Sequence, residues 1–180
     1  MPTEPDFAAV PMGSFVRCRQ SPDPEDSDFR GLLLAAPTRV TFNPGRRDPM
    51  QDSFEAIPVC GTYVFDVNHL GLQDQLVEHT VLVAVEARTM AVYTSAVAEV
   101  TGPPRGSGSL FDVPESIGPA WITGHFNVDL AALLDLPPAE ADYHVYAVLG
   151  EHASNALHIE VRREPPASPP RERRAVRGPK

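Results

Sequence analysis

An all-β, antiparallel sandwich is the fold class this sequence predicts, and three observations carry it. Apolar residues alternate with polar ones in short runs bounded by Pro, Gly, Asp and Asn, which is the period of a half-buried strand. Proline accounts for 20 of 180 residues, too many for a mostly helical chain, because each interior proline removes a donor and clashes with the preceding turn. Strands and helices do not alternate repeatedly, which argues against a doubly wound parallel sheet.

Taken in order, the alternating runs predict strands at 14–19 (SFVRCR), 38–43 (TRVTFN), 58–67 (PVCGTYVFDV), 80–88 (TVLVAVEAR), 91–100 (AVYTSAVAEV), 120–128 (AWITGHFNV), 142–149 (DYHVYAVL) and 156–162 (ALHIEVR), with LLLA at 32–35 as a further one. Between them, SPDPEDSD at 21–28 reads as an acidic surface loop and TGPPRGSGS at 101–109 as a connection built for turns. DLAALLDL predicts one short helix, with Asp129 as its N-cap and Pro137 and Pro138 ending it. One face per strand then turns inward. The expected core is Val16, Val40, Phe42, Tyr63, Phe65, Val81, Val83, Val85, Ile122, Phe126, Tyr143, Val145, Leu149, Ile159 and Val161.

The segment 126–161 runs strand (GHFNV), a turn or helix ending in LPP, a strand opening with Tyr143 (YHVYAVLG), a polar turn (EHASN) and a final strand (ALHIEV). In this it resembles the last third of an immunoglobulin-like or fibronectin type III-like sandwich. The resemblance implies a tyrosine corner at Tyr143, its hydroxyl bonded back to upstream backbone. It implies a fold and leaves activity open, since such sandwiches host unrelated functions.

The domain organisation expected is a flexible N-terminus at 1–9, one sandwich at 10–163 and a disordered basic tail at 164–180. About 150 residues suffice to bury roughly two thirds of their unfolded surface. The tail holds Val176 as its only large apolar residue and five prolines in seventeen positions, too little to offset about 1–2 kcal/mol of backbone entropy per residue. Charge divides the same way. Residues 162–180 hold seven cations against two acids, while the remaining 161 hold 8 cations against 22 acids, a net of −14. Such a body repels phosphate backbones, so nucleic acid is expected, if anywhere, only on the tail. PASPPR at 166–171 fits the pattern of a polyproline ligand, a short match that Pro/Arg-rich tails produce by chance.

The start MPTEPDFAAVPMGSF lacks the basic and apolar regions of a signal peptide, and no apolar run approaches membrane-spanning length, so a cytoplasmic protein without membrane association is expected. Cys18 and Cys60 have no Cys or His neighbour at zinc-ligand spacing and read as ordinary thiols.

Three of the six histidines fall between 144 and 158. With Tyr143, Val145, Ala147 and Leu149 on one face, and Leu157, Ile159 and Val161 on one face of the next strand, alternation points His144, Tyr146 and His158 outward. A hairpin pairing 149 with 156 would hold the two imidazoles some 13 Å apart, too far to share an ion. In the run 66–79, Asp66, Asn68, His69, Asp74, Glu78 and His79 crowd a loop that opens like a calcium site. Leu70 and Val77 stand where oxygen ligands belong, so neither a metal nor any other cofactor is expected. GSGSL at 106–110 lacks a nucleophile elbow, and the acids Glu140 and Asp142 read as solvated. No catalytic residue is assigned.

Trp121, the only tryptophan, shares a strand face with Thr123, His125 and Asn127 and suits a sugar-stacking platform or a protein contact. The function expected is therefore a non-enzymatic protein-binding or accessory module. Its candidate binding residues are Trp121, His125, His144, Tyr146 and His158, and its edge strands offer a route to homo-oligomers. The alternatives are a carbohydrate-binding module and a small hydrolase with a loop-built acidic site.

Overall fold

The computed structural model describes residues 6–26, 28–42, 56–66, 79–97 and 121–164. Among the described residues nine strands form in chain order: β1 (Gly31–Ala35), β2 (Arg39–Phe42), β3 (Pro58–Asp66), β4 (Val81–Glu86), β5 (Val92–Ala96), β6 (Trp121–Asp129), β7 (Ala141–Leu149), β8 (His152–Ala153) and β9 (Leu157–Arg163), with the one-turn helix α1 (Leu130–Leu133) between β6 and β7. They make two sheets. Sheet A has the order β1-β3-β6 and is antiparallel; sheet B has the order β2-β9-β7-β4-β5, with β8 on β7, and only its β2–β9 pair is parallel. The all-β expectation holds. The expected runs at 38–43 and 142–149 become β2 and β7, and LLLA becomes β1. The loop at 66–79 beyond its ends, the connection at 101–109 and the tail from 165 lie outside the described residues.

The inner faces of both sheets meet in one hydrophobic cluster. Leu32 and Leu34 of β1, Val59 and Phe65 of β3, Phe126 and Val128 of β6, and Tyr143, Val145, Ala147 and Leu149 of β7 are all buried there, with Ile159 and Val161 of β9. Two glycines make room for rings: Gly61 lies directly opposite Phe126, and Gly124 opposite Tyr63, so each aromatic side chain covers the bare backbone of its cross-strand neighbour. The junctions are closed by short polar side chains. Asp129 caps α1 by accepting from the Ala131 N–H at 3.0 Å, as expected, and also accepts from Ile57 at 3.0 Å. Asn155, just after β8, bonds both backbone groups of Leu34, at 2.7 and 3.0 Å, and so links the β8–β9 connection to β1.

Four expectations are corrected. First, 14–19 is not a strand: Ser14 makes a single bridge to Asn127, and Val16 is exposed. Second, the phase of β4 is reversed. Leu82, Ala84 and Glu86 oppose the inward residues of β7, and Val81, Val83 and Val85 face out beside Val148, Tyr146 and His144. Apolar residues occupy both parities of TVLVAVE, so alternation alone does not fix the phase, and Glu86 is buried: its carboxylate folds back at the strand end to accept from the backbone N–H groups of Arg88 and Thr89, at 3.1 and 2.6 Å. Third, the hairpin closes earlier than supposed. Gly150, at φ +58°, turns the chain at once, so Leu149 opposes His152. The Ser154 side chain then bonds Ala147, a bulge adds one residue, and β9 pairs with His144 opposite His158. Fourth, the Tyr143 hydroxyl is buried and has no hydrogen-bond partner among the described residues, so the bond of a tyrosine corner is not made there. The ring packs edge-on against Tyr93, with centroids 6.2 Å apart.

At the N-terminus, Phe7 and Val10 are buried against Cys60, with Cys18 and Ala35 packed beside them. Apolar packing among the described residues thus includes Phe7. No helix among the described residues is long and apolar enough to cross a membrane.

Candidate functional site

Sheet B presents the face that the sequence pattern makes unusual. Cross-strand partners share a face, so the registers assemble rows across four strands. Val92 of β5 lies beside Val85 of β4, then His144 of β7, then His158 of β9. Thr94, Val83 and Tyr146 make a second row, and Ala96, Val81 and Val148 a third. Val92 is 62% exposed, His144 and His158 are exposed, and Val81, Val85, Tyr146 and Val148 are half-buried, while Val83 is covered by its neighbours.

The far side of the same face is ionic. Glu160 of β9 stands opposite Asp142, and Arg162 reaches Asp142 at 2.5 Å and Glu160 at 3.7 Å, with Arg39 of β2 on Glu160 at 3.1 Å. These groups are partly exposed, so the pairs set charge pattern more than stability. A shallow open cleft runs beside them, lined by Ala36, Thr38, Arg39, Leu157, His158 and Glu160. Asp142 is thus held by Arg162, and Glu140 accepts from the Arg163 N–H at 3.0 Å. Both acids are engaged in holding β9 against β7 rather than standing as a solvated pair.

His144 and His158 have ring centroids 5.3 Å apart, in place of the 13 Å separation expected. The two imidazoles can offer two nitrogens to one transition-metal ion. Among the described residues no group of three His, Cys, Asp or Glu gathers to complete such a site. Sequence reasoning had one signal for this register. Leu149 points inward and residue 156 outward, and directly opposed residues must share a face, so 149 cannot oppose 156.

The other two candidates lie elsewhere. Trp121 and His125 point out from sheet A with Thr123 and Asn127, as alternation predicts, but that face is occupied by residues from the N-terminal segment. Asn127 is fully buried there, exchanging backbone bonds with Ser14 and donating its side-chain amide to Ser14 Oγ at 3.0 Å and to the Val16 carbonyl at 2.7 Å. His125 Nδ1 shares a 3.1 Å hydrogen bond with Thr62 Oγ1, and burial, reinforced by the charge of Arg17 against that of Asp23, holds its pKa below the usual imidazole range. Over Trp121 the Arg30 guanidinium lies 3.2 Å from the ring centroid, which takes one face of the indole. The five candidate residues are therefore split between the outer faces of two sheets. His144, Tyr146 and His158 come together with valines that the sequence reading had placed in the core. Among known proteins, no family model, curated protein or solved structure matches the chain.

Proposed function

We propose that this chain is a non-enzymatic, immunoglobulin-like module that binds another protein through the outer face of sheet B. Strand order supports the architectural part. β1, β3 and β6 stand as strands A, B and E; β2, β9, β7, β4 and β5 stand as A′, G, F, C and C′, with the split first strand antiparallel to B and then parallel to G. Residues 98–120, where a strand D would fall, lie outside the described residues.

The observation that carries the binding part is the row from Val92 through Val85 to His144 and His158, with Tyr146 beside it. A half-apolar sheet face rimmed by ion pairs has the anatomy of a protein contact, with a water-excluding centre and a polar margin. A sugar platform at Trp121 is a weaker reading, because Arg30 already stacks on the ring. A cytoplasmic setting, in which the two cysteines rest reduced, belongs to the same proposal.

The test places a photo-crosslinking side chain at Thr94, on the sheet B face, or at Thr123, on the sheet A face. Thr94 is expected to capture a defined protein that the double variant Val92→Glu, Tyr146→Glu loses without a change in thermal midpoint. Equal capture from both faces, or capture indifferent to the double variant, overturns the reading.

A further inference from the structure

We propose that Cys18 and Cys60 form a thiol–disulfide pair whose closure latches the N-terminal segment onto β3. This rests on the outer face of sheet A and stands apart from the binding proposal for sheet B. The two residues are 42 positions apart in the chain, yet their sulfurs lie 3.2 Å from one another. Cys60 is fully buried on the strand, in one cluster with Phe7 and Val10; Cys18 comes from the segment itself, is only partly buried and packs against that cluster. Cys18 is held in place rather than swinging freely. Its N–H donates to Ser21 Oγ at 3.0 Å, its carbonyl accepts from the Ser21 N–H at 3.1 Å, and the Ser21 hydroxyl reaches its sulfur at 3.4 Å.

The surroundings give the two thiols different parts. Burial works to raise the pKa of Cys18, but hydrogen bonds from Ser21, from the Cys60 thiol and from the backbone of Gln20 and Ser21 outweigh it and bring the pKa below the usual thiol value. Burial, with the neighbouring Cys18 sulfur, drives Cys60 well above it. Cys18 is thus the attacking thiol and Cys60 the resolving one. The Cys18 thiolate attacks one sulfur of a low-molecular-weight disulfide, forming a mixed disulfide and expelling one thiolate. Cys60 then gives up its proton, and its sulfur attacks that of Cys18, forming the internal bond and expelling the second thiolate. Two protein thiols are oxidised and one external disulfide is reduced to two thiols, which take up both protons.

Closure has a mechanical consequence. Beyond apolar contact, the segment is fastened mainly by its bonds to Asn127, and a covalent tie at Cys18 would turn a cover that can fray into one that cannot. In a reducing compartment the latch rests open, and oxidant closes it.

The experiment treats the full chain with glutathione disulfide and follows free thiols after denaturation, intact mass and thermal midpoint. Two thiols falling to none, the loss of two hydrogen atoms and a Cys18–Cys60 peptide are expected. So are a midpoint higher by roughly 10 °C than in the reduced protein and slower tryptic cleavage after Arg17 and Arg19. Cys18→Ser, which leaves the buried Cys60 in place, should keep the reduced midpoint and lose the response to oxidant. Two thiols that persist, a glutathione adduct that never resolves, a disulfide between two chains, or an internal disulfide without a change in midpoint and cleavage would each overturn the proposal.

Discussion

Gly61→Ala is the sharpest perturbation the core offers. Gly61 is buried in β3 directly opposite Phe126, and a Cβ added there would sit 2.6 Å from Phe126 Cε2 and closer still to Cζ and Cε1. Carbon atoms prefer about 3.5–4.0 Å, so the ring must retreat by about 1 Å or more. Phe126 is fully buried and cannot step aside into solvent. Overpacking of this kind costs about 1–3 kcal/mol, and the fixed ring argues for the upper end. Alanine returns about 0.5–1 kcal/mol, because it loses less backbone freedom on folding than glycine does. The net loss should be about 2 kcal/mol, a fall in midpoint of roughly 4–8 °C. Urea unfolding followed by the fluorescence of Trp121, the only tryptophan, supplies the measurement. The second arm repeats it in Phe126→Leu, where the ring is gone and the added methyl should cost at least about 1 kcal/mol less. A change below about 0.5 kcal/mol, or an equal cost in both backgrounds, would refute the packing argument.

Tyr143→Phe should cost less than about 1 kcal/mol, because the buried hydroxyl has no partner among the described residues; a larger loss would mean that the hydroxyl is bonded after all. Burial, with the charges of Tyr93 and Glu86, pushes the Tyr143 pKa up to about 12. The folded state therefore keeps a proton that the unfolded chain releases near pH 10, so stability is full below about pH 10 and declines toward pH 12, a decline the phenylalanine variant should flatten. Glu86 has the opposite sign. Hydrogen bonds from the Thr89 side chain and from the backbone of Thr89 and Arg88 hold its carboxyl below the usual range, so its contribution is full above about pH 4.3 and is lost as the pH falls through the depressed value. Glu86→Gln should be less stable at neutral pH and show a shallower acid limb in denaturant titrations; an unchanged limb counts against the turn as drawn. Zinc or copper added to the purified chain should bind weakly and one to one through His144 and His158, and His144→Ala should abolish that binding in calorimetry; an equivalent retained through dialysis would mean that more ligands are present than these two.

The sequence by itself determined the all-β class, most of the strand runs though not the one expected at 14–19 or the short β8, the capped helix at Asp129 and the outward direction of His144 and His158, because each of these follows from a period or a cap that neighbours along the chain can express. Parity also excludes a pairing of 149 with 156 in the last hairpin, since directly opposed residues share a face. Where the pattern was ambiguous the fold decided. β4 carries apolar residues on both parities, and only its pairing with β7, together with the backbone donors that receive the Glu86 carboxylate, turned Val81, Val83 and Val85 outward. The meeting of His144 with His158 depended on a positive-φ turn at Gly150 and a bulge at Ser154, each of which shifts pairing by whole residues while leaving the alternation of either strand unchanged. The burial of Asn127 and the contact of Cys18 with Cys60 were decided by tertiary structure alone. They join parts of the chain 113 and 42 residues apart through side-chain bonds and packing, and such a contact leaves no periodic trace in either segment.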